Sequence, residues 1–128
     1  MGKLVLVVDD EDMTRQMIVM FLTMDGHQSV EAENGVEALE QVAKHHPDAI
    51  ILDVMMPEMD GITMCKKLRA NPATASIPVL MLSGRSQIDA EQEGLEAGAN
   101  VYMKKPMDPK EMLVILKKIM MQSATIKA

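Results

Sequence analysis

The sequence is poor in aromatic residues and in cysteine. It contains no tryptophan, one phenylalanine and one tyrosine. Its single cysteine, Cys65, cannot form an internal disulfide, and the first residues, MGKLVLVV, lack the features of a signal peptide or a myristoylation site. These absences exclude a disulfide-stapled secreted domain, and we expect a cytoplasmic location.

Long apolar runs and an excess of positive charge are missing too. No run approaches the roughly 18 apolar residues that a membrane helix requires, so we expect no membrane insertion. Acidic residues outnumber lysine and arginine by 19 to 13, which gives a formal net charge of -6 and argues against direct nucleic acid binding. A length of 128 residues suits one domain with one core.

Methionine, in contrast, is abundant, with 15 copies. Met13, Met17, Met20, Phe21 and Met24 recur at helical spacing along one stripe. A methionine-rich surface can bind varied partners, but unbranched methionine also fills cores in which aromatic side chains are scarce. We predict that this stripe packs into the core.

The remaining pattern alternates five predicted strands with five predicted helices. Three near-continuous apolar runs, at residues 3–10, 49–54 and 77–83, predict parallel strands covered on both faces. Residues 27–33 and 100–105 mix polar and apolar side chains and predict edge strands. The alternation predicts an α/β fold with a doubly wound parallel sheet.

Helices are predicted at residues 12–25, 35–46, 61–70 and 86–97 and from residue 109 onward. Asp108 and Pro109 supply the starting signal of the last helix. The fourth helix has only Ile88 and Leu95 as large apolar residues, so we expect it to be weakly anchored. Cys65, on the third helix, is predicted to be a core thiol.

Acidic residues occur where two of the central strands end. Asp53 terminates one strand, and Asp9 and Asp10 lie at the same end of another. Ligands of such sheets bind beyond the carboxyl ends of the strands. If the two strands are neighbours, three carboxylates converge and repel one another, and a bound hard cation is their natural partner. Oxygen ligands favour Mg²⁺, with Mn²⁺ as the alternative.

Each of these residues also has an ordinary structural explanation. Asp10 or Asp12 can cap the first helix, and a lone aspartate at a strand end can form a turn. Ser83 and Lys105 can belong to common turns as well. However, acids, a hydroxyl and an ammonium group end four different strands on one rim, and this coincidence favours a functional site.

Taken together, the residues resemble the response-regulator receiver domains of two-component signalling. The resemblance rests on LVLVVDDED, PDAIILDVMMPEMDG, IPVLMLSG and GANVYMKKP, which follow in this order along essentially the whole chain. It implies a flavodoxin-like fold with strand order 2-1-3-4-5. We expect residues 1–122 to form the receiver domain and residues 123–128 to be a tail or the start of a linker.

The resemblance also implies roles for individual residues. Asp53 would accept a phosphoryl group, and Lys105 would contact that group. Mg²⁺ would be held by Asp10, Asp53 and the backbone carbonyl of Met55, with Asp9 binding it directly or through water. The bond between Lys105 and Pro106 would be cis, although only about 5–6% of such bonds are cis in folded proteins.

Signalling would depend on a switch pair, Ser83 and Tyr102. Ser83 would bind the arriving phosphoryl group, and Tyr102 would turn inward and remodel the face of helix 4, strand 5 and helix 5. We expect residues 84–104, with the outer face of the last helix, to form the partner or dimer surface, with docking on the first helix as the alternative. The implied partners are a sensor histidine kinase or histidine phosphotransfer protein and a downstream protein or fused output domain, with a phosphorylation-dependent homodimer as a further option.

The resemblance also implies that such a domain promotes its own phosphorylation and dephosphorylation but is not a turnover enzyme.

Three other functions fit the sequence less well. A haloacid-dehalogenase-like phosphatase has a second aspartate two residues after its nucleophile, where this chain has Met55. Asp10 and Asp12 have the same spacing but match that pattern only weakly. A flavodoxin-like carrier needs a phosphate loop rich in Ser, Thr and Gly and aromatic residues around the flavin, and DDEDMTRQ supplies neither. An inactive docking module is disfavoured because no chemical residue is missing.

Overall fold

The computed structural model describes residues 2–56, 59–84 and 88–127. Within them five strands alternate with five helices. The strands are β1 (Leu4–Val8), β2 (Gln28–Ala32), β3 (Ala49–Asp53), β4 (Val79–Ser83) and β5 (Val101–Lys104). The helices are α1 (Asp12–Met24), α2 (Gly35–His45), α3 (Gly61–Ala70), α4 (Ile88–Glu96) and α5 (Pro109–Lys127). All ten predicted elements are present, and the predicted start of the fourth helix at residue 86 lies outside the described residues.

The strands form one parallel sheet in the order β2-β1-β3-β4-β5, which confirms the predicted topology. The central strands β3 and β4 are buried along their whole length, whereas the edge strands β2 and β5 are partly exposed. The near-continuous apolar runs therefore did identify the strands that are covered on both faces.

Helices cover both faces of the sheet and create two apolar clusters. Ile18 of α1 and Leu116 of α5 pack on one face. Val42 of α2 and Leu68 of α3 pack on the other, together with Cys65, whose burial confirms the predicted core thiol. On α4, Leu95 is 43% exposed, but the burial of Ile88 lies outside what the structure describes, so the weak anchoring of this helix stays a prediction.

The prediction for the methionine stripe of α1 is wrong. Met13 and Met24 are 85% and 75% exposed, and Met17 and Met20 are exposed as well. The helix buries the opposite stripe instead, which contains Arg15, Ile18 and Leu22. Helical spacing shows which residues share a face, but two apolar stripes compete here and only one of them can face the sheet.

The ends of α1 and α5 test the predicted starting signals. The N-cap residue of α1 is Glu11, without a side-chain cap bond, so neither Asp10 nor Asp12 caps this helix. Asp108 precedes α5 and accepts a hydrogen bond from the backbone of Lys110, as expected of a cap. α5 continues to Lys127, so the predicted domain end at residue 122 falls inside a helix, although that boundary remains a prediction.

None of the helices in the described part of the chain has the length and apolar character needed to span a bilayer.

Candidate functional site

The register of the sheet brings the acidic residues together. β1 and β3 are paired so that Val8 lies beside Leu52. The next residues along the two strands, Asp9 and Asp53, are therefore neighbours at the carboxyl edge of the sheet. Both are buried, with 1% and 4% of their surface exposed. Two adjacent carboxylates with so little access to water need a cationic partner.

Lys105 supplies one such partner. Its Nζ donates a hydrogen bond to Asp9 Oδ2 at 2.9 Å and lies 3.4 Å from Asp53 Oδ1. Its backbone N–H donates to the carbonyl of Ser83 at 2.8 Å, which fixes the start of the β5–α5 loop against the end of β4. The bond between Lys105 and Pro106 is cis, as predicted. The site residues at the ends of three strands are thus joined through one lysine.

Burial dominates the protonation of Asp53. It raises the pKa of this carboxyl from 3.8 to about 6; the Lys105 ammonium opposes the shift and the charge of Asp9 adds to it. The backbone N–H of Met55 also bonds to the carboxylate and favours its charged form. Burial alone would lower the pKa of Lys105, but its hydrogen bond to Asp9 and the charge of Asp53 raise it above its ordinary value. The lysine is therefore held in its charged form.

The carboxylates suit a divalent cation. Asp9, Asp10 and Asp53 each offer an oxygen atom, and these atoms lie within 4.8 Å of one another. Three carboxylates and the ammonium of Lys105 leave two negative charges, which a divalent ion would neutralise. An all-oxygen donor set is the one that Mg²⁺ prefers. The predicted backbone ligand from Met55 remains a prediction.

Gly61 lets the loop after β3 fold back on the site. Its N–H donates to the carbonyl of Val54 at 3.0 Å. A Cβ atom at this position would collide with the backbone of Asp53 and would lie 3.0 Å from Cα of Val54. Only glycine permits α3 to begin this close to the end of β3.

The predicted switch residues lie on the neighbouring strands. Ser83 is fully buried at the end of β4 and pairs with Lys104 of β5. Tyr102 is partly buried and packs on the cluster beneath α4. A Cβ atom at Gly94 of α4 would lie 3.1 Å from the Tyr102 ring and 2.7 Å from the sulfur of Met81, so the ring rests against the bare backbone of this glycine.

Two surface grooves flank the site. One, of about 490 Å³, lies between α1 and the β5–α5 loop and is lined by Thr14, Met17, Phe21, Lys105, Pro106, Met107 and Pro109. The other, of about 410 Å³, runs along α4, β5 and α5 and includes Glu91, Tyr102, Lys104, Asp108 and Ile115. The first groove shares Lys105 with the acidic cluster, and the second contains the predicted switch tyrosine.

The sequence reasoning missed Arg15. This residue is 7% exposed, and its Nη1 donates to the backbone carbonyl of Asp9 at 2.9 Å. A signal was present, because Arg15 shares a helical stripe with Ile18 and Leu22, and a cation on an apolar stripe calls for buried partners.

Comparisons with known proteins identify the family that the whole chain resembles. A family model described as the response regulator receiver domain matches residues 5–117. The chain is 39% identical over 119 residues to the phosphate regulon transcriptional regulatory protein PhoB of Pseudomonas aeruginosa, an alignment that covers 93% of this chain and 52% of that protein. The chain thus spans about half the length of the curated relatives it matches.

Solved structures give the same result. Chemotaxis protein CheY4 of Vibrio cholerae superimposes with a TM-score of 0.87 at 34% identity, covering 93% of this chain and 99% of that chain. The receiver domain of Francisella response regulator 1452 superimposes with a TM-score of 0.88 at 30% identity, covering 95% and 99%.

Proposed function

The chain belongs to the family of response regulator receiver domains, a signalling family, and we propose that it accepts a phosphoryl group on Asp53 in a Mg²⁺-dependent reaction. The observation that carries the proposal is the placement of Asp53. Its carboxylate is buried at the end of β3, beside a second buried acid and 3.4 Å from a lysine ammonium. This arrangement keeps a nucleophilic carboxylate oxygen close to the Lys105 ammonium, which can bind a phosphoryl group, and close to carboxylates that can bind Mg²⁺.

In the proposed transfer, a carboxylate oxygen of Asp53 forms a bond to phosphorus. The bond from phosphorus to an imidazole nitrogen of the donor breaks, and its electron pair stays on that nitrogen. Mg²⁺ held by Asp9, Asp10 and Asp53 would supply positive charge where the phosphoryl oxygens arrive. The product is an acyl phosphate on this chain, so each transfer modifies the protein rather than turning over a substrate.

Lys105 provides charge compensation from the protein itself. In the free protein its ammonium is bound to Asp9, 2.9 Å away, and lies near Asp53. A phosphoryl group on Asp53 brings new acceptor oxygens within reach of the same ammonium group. Lysine suits this task because its compact ammonium group can move from a carboxylate to a phosphoryl oxygen. The planar guanidinium of arginine would require a fixed, two-pronged geometry.

The phosphodonor would dock on the α1 methionine face, defined as Met13, Met17, Met20 and Met24. Because Asp53 is only 4% exposed, the donor histidine has to enter through the surface that surrounds the site. Met17 lines the groove that also contains Lys105, so the methionine face borders the site at this residue. Flexible thioether side chains adapt well to an apolar helical partner. The donor proposed here is therefore a helical domain of a histidine kinase or phosphotransfer protein.

The output would leave through a neighbouring surface, that of α4, β5 and α5. Ser83 ends β4 beside the site, and Tyr102 lies on the adjacent edge strand against α4. An edge strand and a thinly anchored helix resist rearrangement least. We therefore assign the signal to a shift of Ser83 toward the phosphoryl group, followed by movement of Tyr102. A downstream protein or a fused output domain would read this surface.

Intact-mass measurement tests the phosphoacceptor. Incubation with Mg²⁺ and acetyl phosphate should add one phosphoryl group to the wild type, and the adduct should be released by hydroxylamine, as expected of an acyl phosphate. Asp53→Ala should remain unmodified, whereas Asp48→Ala, which removes an acceptor for the backbone N–H of Leu4 at the amino ends of β1 and β3, should be modified normally. An adduct on Asp53→Ala, or one that resists hydroxylamine, would contradict the proposal.

A further inference from the structure

Arg15 is a buried cation that the phosphotransfer chemistry does not use. Its side chain is 8% exposed and lies on the inner stripe of α1 with Ile18 and Leu22. A guanidinium group removed from water needs partners for its donors, so the groups it binds indicate what it organises.

The partners of Arg15 come from three segments around the end of β1. Nη1 donates to the backbone carbonyl of Asp9 at 2.9 Å, and Nε donates to Glu31 of β2 at 2.9 Å. Nη2 donates to Asp12 in the first turn of α1 at 2.6 Å and lies 3.8 Å from Glu33. One side chain therefore joins the β1–α1 loop to α1 and to the end of β2.

The carbonyl that Arg15 binds belongs to the peptide unit between Asp9 and Asp10. A peptide unit is planar, so fixing its carbonyl also fixes the direction in which the chain leaves toward Asp10. Other contacts hold the Asp9 side chain, because its carboxylate accepts from the backbone of Glu11 at 2.9 Å and from Lys105. Asp10 is exposed, and the orientation of its backbone depends on the peptide unit that Arg15 holds.

The charge of Arg15 does not oppose a cation at the site. Burial alone would lower the pKa of the guanidinium, but hydrogen bonds to Asp12 and Glu31 raise it above its ordinary value. The same carboxylates neutralise its charge locally, so a cation near Asp9 and Asp10 faces little repulsion from it. Arg15 can therefore position the acidic pair without weakening the attraction of that pair for metal.

From this geometry we propose that Arg15 is a positioning residue that sets the affinity of the acidic site for Mg²⁺, an inference that rests on the proposed function. Groups that orient metal ligands without touching the metal usually contribute about 10- to 100-fold to metal affinity. Arg15 is such a group, because it holds the peptide unit that carries two of the three carboxylates.

Calorimetric titration of the unphosphorylated protein with MgCl₂ tests the inference. Arg15→Gln, which keeps hydrogen-bonding ability but loses the charged fork, should raise the Kd for Mg²⁺ by about 10- to 100-fold. Arg15→Lys retains the buried stem and the charge but cannot bind all three segments at once, so its Kd should rise by a smaller factor. The lysine variant keeps the test decisive if the glutamine variant does not fold.

Arg69→Gln is the matched control. Arg69 is also partly buried, and it donates to the backbone carbonyls of Gly98 at 2.9 Å and Ile77 at 2.7 Å, near the amino ends of β4 and β5. Its replacement should lower the free energy of unfolding and leave the Kd for Mg²⁺ unchanged.

The outcomes separate the two proposals. If the wild type does not bind Mg²⁺, the proposed function fails. If the wild type binds Mg²⁺ and a folded Arg15→Lys or Arg15→Gln variant binds it equally well, only the role of Arg15 is wrong. An equal loss of Mg²⁺ affinity in Arg69→Gln would also overturn that role. It would show that a lower free energy of unfolding is enough to weaken Mg²⁺ binding.

Discussion

The proposed role of Asp53 conflicts with its burial in the free protein. As a nucleophile it would have to be ionised, yet burial beside Asp9 disfavours its charge and raises its pKa to about 6. Lys105 offsets only part of that effect. A residue that destabilises the free protein and becomes favourable when a cation or phosphoryl group arrives is typical of a functional site rather than a structural one.

Asp53→Asn should therefore stabilise the metal-free protein above pH 6. Because the folded pKa lies above the ordinary value of 3.8, the folded state holds the proton more tightly than the unfolded state does. The free energy of unfolding then falls as pH rises from about 4 to about 6, and the uncharged asparagine escapes this loss. The gain should approach an upper limit of about 3 kcal/mol at pH 7 and above, and should vanish near pH 4.

Urea unfolding followed by circular dichroism at a series of pH values measures this difference. Addition of Mg²⁺ serves as the control, since binding should stabilise the wild type and narrow the gap to the variant. A metal-free variant that is less stable than the wild type above pH 6 would show that the Asp53 carboxylate is not destabilising.

At the scale of whole elements, α1 shows where sequence reasoning succeeds and where it stops. The spacing of its apolar residues located the helix to within a residue of Asp12–Met24. It did not show which stripe faces inward, because that choice depends on what the sheet offers as a partner. The methionines were consequently predicted to be core residues, whereas Arg15 on the truly buried stripe was overlooked.

The strand ends were predictable for a different reason. In a parallel sheet every strand ends on the same edge, so Asp9, Asp53, Ser83 and Lys105 had to lie on one rim once their strands were identified. Long-range contacts between segments without a shared period, such as that of Gly94 with Tyr102, leave no comparable pattern in the sequence. They depend on how α4 lies against β5, which packing decides.

The exposed position of the α1 methionine face leads to a prediction about docking. In the double variant Met13→Gln, Met17→Gln, transfer from a histidine kinase core that phosphorylates the wild type should slow at least about fivefold, since apolar contacts at such interfaces contribute about 1–2 kcal/mol. Glutamine has a similar length to methionine but is more strongly hydrated, so the helix should keep its structure. Rates from quenched time courses measure the effect.

Two controls separate docking from chemistry. Phosphorylation by acetyl phosphate should proceed at the wild-type rate in the double variant, because this donor needs no docking surface. Met121→Gln, an equivalent change at a 63% exposed position on α5, should leave the kinase reaction unchanged. Equal slowing with both donors would place the defect in the site instead of the face.

At the scale of the whole molecule, the proposed input and output surfaces meet at the β5–α5 loop. The groove beside α1 and the groove along α4, β5 and α5 both include Pro106 and Met107. In the proposed signal, a change at Asp53 would pass through the strands that carry Ser83 and Tyr102 to reach the second groove. Distant coupling of this kind requires an element with two arrangements that the phosphoryl group biases.

Gly94→Ala should disturb that coupling without blocking the site. The added methyl group would lie 3.1 Å from the Tyr102 ring and 2.7 Å from the sulfur of Met81, so the ring or α4 has to move before any phosphoryl group arrives. We expect the phosphoryl mimic beryllofluoride to bind at Asp53 in the variant. The amide shifts that it induces over residues 91–104 should be smaller than in the wild type, because part of the rearrangement has already occurred.

Gly84→Ala provides the matched control for these amide spectra. It adds the same methyl group next to Ser83, at a position where a Cβ atom would meet none of the described residues within 4 Å. Its spectra with beryllofluoride should therefore follow those of the wild type over residues 91–104. If Gly94→Ala also gives shifts of wild-type size there, the contact between Tyr102 and Gly94 takes no part in the signal. If the wild type shows no shifts in this region, the output has to leave by another face, and the α1 methionine face, which borders the site, becomes the surface to test next.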